Sequence, residues 1–247
     1  MKFVVKNTTR CGVLDLLCPH SCRGCGRLGS VLCERCKKNL ITARRMICPV
    51  CKQEFERGLN DMENMSCSEC DLGGFTAIFA AGWRDGVLKK MVEEYKYQAI
   101  WALGDVLAEV LEEMLPSKDE IFWRDLGQCE VVIVPLPTIG RHVRERGLDH
   151  TFRMAHKLAK WRGWKCERIL SRAADTVQVG AKAADREEQA RKAYEVYGKV
   201  DAERIYVLLD DVWTTGASMR AAAEMMRLAG AKRLVGLVVA VGKAREI

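Results

Sequence analysis

From Phe75 onward, apolar and polar positions alternate in the manner of an α/β chain. FTAIFAAGW at 75–83 reads as a strand. Leu88, Met91, Val92 and Tyr95 then fall on one helical face, and Leu103, Leu107, Val110, Leu111 and Met114 form a second helix stopped by Pro116. VVIVPLP at 131–137 reads as a buried strand, a helix is expected around His150–Trp161, and a strand near Cys166–Leu170. A polar stretch follows to Arg191, then a β-like AYEVYGKV. The clearest unit comes last: strand RIYVLLDD, turn VWTTGAS, helix MRAAAEMMRLAG and strand KRLVGLVVAVG. Strands alternating with helices predict an α/β fold with a doubly wound, mainly parallel sheet.

Composition adds a boundary. The chain has 247 residues, of which 49% are hydrophobic, enough for a buried core and too many for a disordered tail or a disulfide miniprotein. Ten of its 12 cysteines lie between Cys11 and Cys70, with only Cys129 and Cys166 downstream. The expected organisation is a small cysteine module over 1–74 and an α/β domain over 75–247. No apolar run approaches the ~18 residues of a membrane span, and the N-terminus, broken by Lys6, Arg10 and Asp15, lacks the apolar core of a secretory signal. A cytoplasmic protein is expected, and in a reducing compartment clustered cysteines point to metal before disulfides.

The cysteines form four C-x-x-C pairs: Cys22/Cys25, Cys33/Cys36, Cys48/Cys51 and Cys67/Cys70. Two thiolates separated by two residues can face one metal from a tight knuckle, and two knuckles complete the tetrahedral sulfur shell that Zn²⁺ favours. Eight ligands make two structural zinc sites. Pairing in sequence order needs the shortest loops, and an interleaved cross-brace also fits the spacing. Cys11 and Cys18 fit neither set, although Cys18 can stand in for Cys22. Zinc would fold a stretch of ~60 residues too poor in large apolar side chains to fold unaided. GCGRLG at 24–29 satisfies G-x-G-x-x-G but follows no strand and opens no helix, so it is not a dinucleotide loop.

The strand YVLLDD ends in two carboxylates at the edge where open α/β sheets place ligands. VWTTGAS then supplies Thr214, Thr215, Gly216, Ala217 and Ser218 at a helix N-terminus, where backbone N–H groups, the helix dipole and hydroxyls favour an anion. Carboxylates beside a phosphate cradle describe a phosphorylated sugar: Asp210 and Asp211 accept from vicinal ribose hydroxyls while the loop holds a 5′-phosphate. Four apolar residues before an Asp also suit an NTPase strand, but the chain has no G-x-x-x-x-G-K-[ST].

VLLDDVWTTGAS resembles the phosphoribosyl pyrophosphate (PRPP) signature of type I phosphoribosyltransferases. VPLP with Arg141, Arg144, Arg146 and Gly147, and SRAADTVQ…DREEQARKAY, are similar to the corresponding stretches of the ComF family, as is the double cysteine module. The resemblance covers nearly the whole chain and implies a link to DNA uptake in natural competence. It implies that Asp210 and Asp211 act at the ribose, that Thr214–Ser218 hold the 5′-phosphate, and that the loop after Pro135 faces the pyrophosphate with Arg141, Arg144 or Arg146. It further implies a hood over 172–191, with Arg172 and Arg186 closing on PRPP, and Mg²⁺ as cofactor. The family's Phe-Asn-Gln is Leu148, Asp149 and His150 here, its later Asn is Gln189, and Trp213 precedes the two threonines.

Charge completes the picture. Between Arg141 and Arg172 ten Lys/Arg face three Asp/Glu, a surplus equal to the +7 of the whole chain. Such a segment can serve PRPP, a single-stranded nucleic acid backbone, or only solvent, and Phe152, Trp161 and Trp164 can stack bases or pack a core. No clear general base emerges; Asp211 and three histidines, His142, His150 and His156, are candidates. Three readings follow: a Mg²⁺-dependent phosphoribosyltransferase, a single-stranded-DNA-handling competence factor with protein partners, and a regulator that senses PRPP or a nucleotide without turnover.

Overall fold

The computed structural model describes residues 20–42, 45–56, 70–98, 100–117, 123, 129–138, 143, 147, 149–172 and 193–243. In chain order these form α1 (Glu34–Thr42), β1 (Arg45–Ile47), β2 (Glu54–Glu56), β3 (Ala77–Trp83), α2 (Gly86–Tyr97), α3 (Trp101–Met114), β4 (Val131–Pro135), α4 (His150–Arg162), β5 (Lys165–Cys166), β6 (Leu170–Arg172), β7 (Tyr194–Val196), β8 (Ile205–Trp213), α5 (Ala217–Leu228) and β9 (Arg233–Val241). The central sheet runs β3-β9-β8-β4-β5, and every pairing within it is parallel. β8 and β9 are continuous Val/Leu/Ile-rich runs because both faces of the sheet are covered.

One face carries α2 and α3, whose predicted stripes bury Leu88, Met91, Leu103 and Leu107, and α4, which buries Met154 and Leu158. The other carries α5 through Met219, Ala222 and Met226, together with Leu170 of β6 and Tyr194 of β7. The expected doubly wound, mainly parallel α/β architecture is therefore the observed one. β4 and β8 are neighbours, with Val131 opposite Ile205 and Pro135 opposite Leu209. From β4 the chain leads through α4 to β5 on one side, and from β8 through α5 to β9 on the other. The connections diverge onto opposite faces, opening a crevice at the C-terminal ends of β4 and β8, where such sheets bind ligands.

Two elements differ from the sequence pattern. β8 extends beyond Asp211 because Val212 and Trp213, placed by the sequence in the turn, pair with Ala240 and Val241, and the Trp213 ring is 1% exposed. The expected strand near 166–170 divides in two. Lys165 and Cys166 pair with Val132 and Ile133 at the sheet edge, Glu167 N–H still reaches the Ile133 carbonyl, and the chain then leaves to form an antiparallel ribbon in which Ser171 opposes Glu195.

The cysteine-bearing residues lie against this sheet. Val31 and Leu32 are buried with Leu103 and Leu107. Arg23 pairs with Glu94 at 2.5 Å and Lys37 with Glu109 at 3.0 Å, tying the first knuckles to α2 and α3. Val50 and Leu72, which flank the later cysteines, pack against the opposite cluster containing Trp213. No helix among the described residues is long and apolar enough to cross a membrane.

Candidate functional site

Asp210 and Asp211 lie where β8 emerges at the crevice, half-buried between the fully buried Leu209 and Trp213. The backbone N–H of Asp211 donates to Oδ1 of Asp210 at 2.8 Å. Burial and the neighbouring Asp211 carboxylate push Asp210 up to about 7, against the pull of that N–H, Lys96 and Arg172. Asp211 has its own counter-charge, since Lys96 Nζ approaches its Oδ2 at 2.7 Å. Lys96 sits four residues after Val92 on the buried face of α2, so a lysine in an apolar stripe was its sequence signal.

The following loop turns on Gly216, which caps α5 in the left-handed region at φ 80°. A Cβ there would run into the Trp213 indole, so only glycine fits, and the bulky Trp213 is the floor on which the loop rests. Gly216 offers no capping side chain, while Thr214, Thr215, Ala217 and Ser218 are exposed. The start of α5 therefore presents exposed residues and a positive dipole end to solvent. Thr215 Oγ1 accepts from Ala217 N–H at 3.4 Å.

Three further groups surround the loop. Arg220 donates to the Thr215 carbonyl at 2.9 Å with its guanidinium 5.4 Å from the Trp213 ring centroid. Lys52 Nζ donates to the Thr214 carbonyl at 3.1 Å from the second cysteine segment. Burial raises the Tyr194 phenol, an effect its neighbour Ser218 opposes, and the Arg172 guanidinium lies 5.7 Å from its ring. The sequence marked AYEVYGKV only as a strand, and nothing in it placed Lys52 here. Across the crevice Pro135 ends β4, and the next N–H, of Leu136, bonds the Leu209 carbonyl at 2.8 Å. Arg172 is exposed at the end of β6, whereas Arg141, Arg144, Arg146 and Arg186 lie outside the described residues.

Asp149, one of the departures from the ComF pattern, caps α4: its Oδ1 accepts from Phe152 N–H at 3.2 Å and from the Thr151 hydroxyl at 3.0 Å. His150 packs edge-on against Tyr95 at 5.5 Å. A groove of about 480 Å³ runs along α4 past Asp105, Phe152, His156 and Arg168. Its cations are largely paired: Arg153 and Lys157 with Asp105 at 3.3 and 3.1 Å, Arg168 with Asp149 at 3.6 Å. Nearby, Arg162 bonds Glu112 at 2.6 Å and Lys165 bonds Glu130 at 2.6 Å. Arg153, Lys157, Arg162 and Lys165 thus pair with acids that lie outside the basic segment. Trp164 packs edge-on against Trp123 at 5.0 Å, and the Arg168 guanidinium lies 3.6 Å from the Phe152 ring centroid.

The cysteines gather in sequence order. Cys22, Cys25, Cys33 and Cys36 form one cluster and Cys48, Cys51 and Cys70 another, with the donor atoms of each within 4.8 Å of one another. Cys67 lies outside the described residues, as do Cys11 and Cys18. Cys25 and Cys33 sulfurs are 3.7 Å apart, close to the edge of about 3.8 Å that tetrahedral Zn–S bonds of about 2.3 Å require. Gly24 is needed for this closeness, because a Cβ there would meet the Cys36 sulfur at 2.7 Å. Burial raises Cys22, but N–H groups of Cys33, Cys25 and Gly24 outweigh it and bring the thiol down to about 6. Desolvation and the three neighbouring thiols push Cys36 up to about 12. Four sulfurs that cannot all ionise without a cation are a donor set suited to a soft divalent metal. Cys166, by contrast, is pushed by burial to about 11, an unreactive thiol in an edge strand.

No family model and no curated protein matches the chain. Among solved structures, it is similar to an allosteric regulatory enzyme of purine biosynthesis, with 17% identity over 56% of this chain and 26% of that one, at a TM-score of 0.37. A glutamine PRPP amidotransferase from B. subtilis complexed with ADP and GMP gives 18% identity, 62% and 26% coverage and a TM-score of 0.35. TT1426 from Thermus thermophilus gives 16% identity, 58% and 85% coverage and a TM-score of 0.32. The chain spans about a quarter of the length of the first two. The fold class stands on the strand pairings themselves.

Proposed function

We propose that the chain is a PRPP-binding, phosphoribosyltransferase-like protein of the ComF kind, linked to DNA uptake, with a double zinc module over 1–74 and a type I phosphoribosyltransferase domain over 75–247. The observation that carries this reading is the meeting, at the switch-point crevice, of the Asp210–Asp211 pair with a helix N-terminus capped by a left-handed Gly216 that has no side-chain bond of its own. The carboxylates accept from the two ribose hydroxyls. Loop amides and the hydroxyls of Thr214, Thr215 and Ser218 hold the 5′-phosphate, and the loop after Pro135 faces the diphosphate. The roles of Arg172 and Arg186 in a closing hood, and of Arg141, Arg144 and Arg146 at the diphosphate, follow from the family resemblance.

Breaking the C1′–pyrophosphate bond develops positive charge on the sugar and negative charge on the leaving group, so the residues act mainly by electrostatics and exclusion of water. Mg²⁺ bound with PRPP would supply further charge neutralisation to the diphosphate. The carboxylate pair suits such a hard cation, and the cysteine clusters suit zinc. Calorimetric titration with PRPP and Mg²⁺ tests the reading: binding by wild type that Asp210→Asn and Asp211→Asn abolish is expected, and equal binding by all three would sink it.

A second reading, sensing of PRPP or a nucleotide without turnover, is favoured by the 2.7 Å pairing of Lys96 with Asp211, which ties up the best-placed general base. Release of pyrophosphate from labelled PRPP over a panel of bases, nucleosides and single-stranded DNA separates the two. Single-stranded DNA and other competence proteins are proposed as partners on the family resemblance, and DNA affinity that falls with salt is the mark of the former.

A further inference from the structure

The 214–218 loop is held from behind by two cations. Lys52 Nζ donates to the carbonyl oxygen of Thr214 at 3.1 Å and Arg220 to that of Thr215 at 2.9 Å. In a trans peptide the carbonyl and the following N–H point in opposite directions. The N–H groups of Thr215 and Gly216, which share those two peptide units, are thereby turned away from the cations. A positive charge on each carbonyl also polarises its peptide, making the N–H on the far side a stronger donor.

Lys52 is the residue after Cys51, and it occupies the left-handed region at φ 65°, a conformation that costs a lysine energy unless the surroundings enforce it. Two hydrogen bonds enforce it here: Lys52 N–H to the Cys48 carbonyl at 2.9 Å, and Cys48 N–H to the Gln53 carbonyl at 2.9 Å. They close the knuckle whose thiols gather with Cys70. The other arm of this cluster reaches the same helix. A Cβ at Gly73 would lie 2.9 Å from Arg220 Cγ, and the Gly74 carbonyl accepts from Arg227. Val50, between the two knuckle cysteines, packs against the buried group that includes Trp213 and Met219.

We infer that Lys52 is a positioning residue for the phosphate loop, supplied by the second cysteine cluster, so that metal held by Cys48, Cys51 and Cys70 and phosphate held at the start of α5 strengthen each other. The inference rests on the phosphate reading of this loop. Its physical basis is a shared element: metal fixes the knuckle, the knuckle fixes the ammonium, and the ammonium fixes the peptide plane that faces the anion. Linkage makes the effect reciprocal, so ribose 5-phosphate must tighten the metal by the factor by which metal tightens ribose 5-phosphate.

The experiment uses the zinc-loaded full chain with ribose 5-phosphate as the probe. Lys52→Met is expected to weaken ribose 5-phosphate about five- to tenfold, Lys52→Arg to restore it to within about twofold, and saturating ribose 5-phosphate to slow zinc transfer to a chelator severalfold. In ligand-free protein, amide hydrogen exchange over 214–218 should quicken in Lys52→Met and after chelation, but not in Lys52→Arg. Wild-type affinity in Lys52→Met, or weak binding that Lys52→Arg fails to rescue, overturns the positioning role. Zinc transfer indifferent to ribose 5-phosphate overturns the coupling. If wild type binds neither ribose 5-phosphate nor PRPP, the phosphate reading itself falls and the coupling with it, while the exchange arm still decides whether Lys52 holds the loop.

Discussion

The ammonium of Lys96, in the last turn of α2, lies 2.7 Å from the Asp211 carboxylate at the end of β8. Both groups are largely shielded, so the pair joins the helical layer on one face of the sheet to the crevice at its edge. Removing one partner leaves an uncompensated, partly buried charge. Lys96→Met is expected to lose about 1–2 kcal/mol of stability, with Mg²⁺ restoring more in the variant than in wild type. Urea unfolding with and without Mg²⁺ reads this directly; identical midpoints would mean that the ion pair is idle.

Asp210 sets a pH dependence. Its carboxyl is held near 7 in the folded chain against 3.8 ordinarily, so between those values the folded state keeps a proton that the unfolded state has lost. Stability from this group is therefore full below about pH 4, declines as pH rises towards 7, and is level above it, with a slope of at most about 1.4 kcal/mol per pH unit. Asp210→Asn should flatten that part of the profile. The comparison is of urea midpoints at about pH 5 and about pH 7.5, on either side of most of that decline; parallel changes in wild type and variant would rule the assignment out.

Gly216→Ala combines a left-handed backbone with a collision against the Trp213 indole. A cost of about 2–3 kcal/mol is expected, together with lost ribose 5-phosphate binding. Shrinking the floor should relieve the steric part: in a Trp213→Leu background the same change should cost measurably less, which a double-mutant cycle by chemical denaturation reports.

Metal analysis of the purified chain should find about two zincs per molecule. Cys25→Ser should remove one of them and loosen the Arg23–Glu94 and Lys37–Glu109 contacts, lowering the thermal midpoint. Cys48→Ser should remove the other. Full zinc retention in either variant would contradict the two clusters.

The parts of this architecture that repeat with a period were legible in the sequence. The strand–loop–helix–strand unit from Ile205 to Val241 declared itself through two largely apolar strands and a glycine-hinged turn. Among the described residues the C-x-x-C cysteines gather in chain order, the pairing that needs the shortest loops. Val212 and Trp213 were misplaced into the turn since their β9 partners lie far along the chain, and pairing with Ala240 and Val241 overrides local turn preference. Lys52 and Tyr194 carry no pattern at all and reach the loop only through tertiary packing, whereas Arg220 bonds Thr215 locally from the first turn of α5. Nor did the charge count along the basic segment reveal that Arg153, Arg162 and Lys165 pair with Asp105, Glu112 and Glu130, which other elements supply.

The register of β3 has a consequence for synthesis of the chain. Among the described residues β3 pairs only with β9, the most distant strand along the chain. A ribosome would thus release β3 long before its partner, leaving an apolar strand with open hydrogen-bonding edges while most of the domain is still being made. Covering by α2 and α3, together with early metal capture by cysteines that emerge first, offers that strand interim protection. Chains truncated before Arg233 should accumulate as aggregates rather than as partly folded monomers.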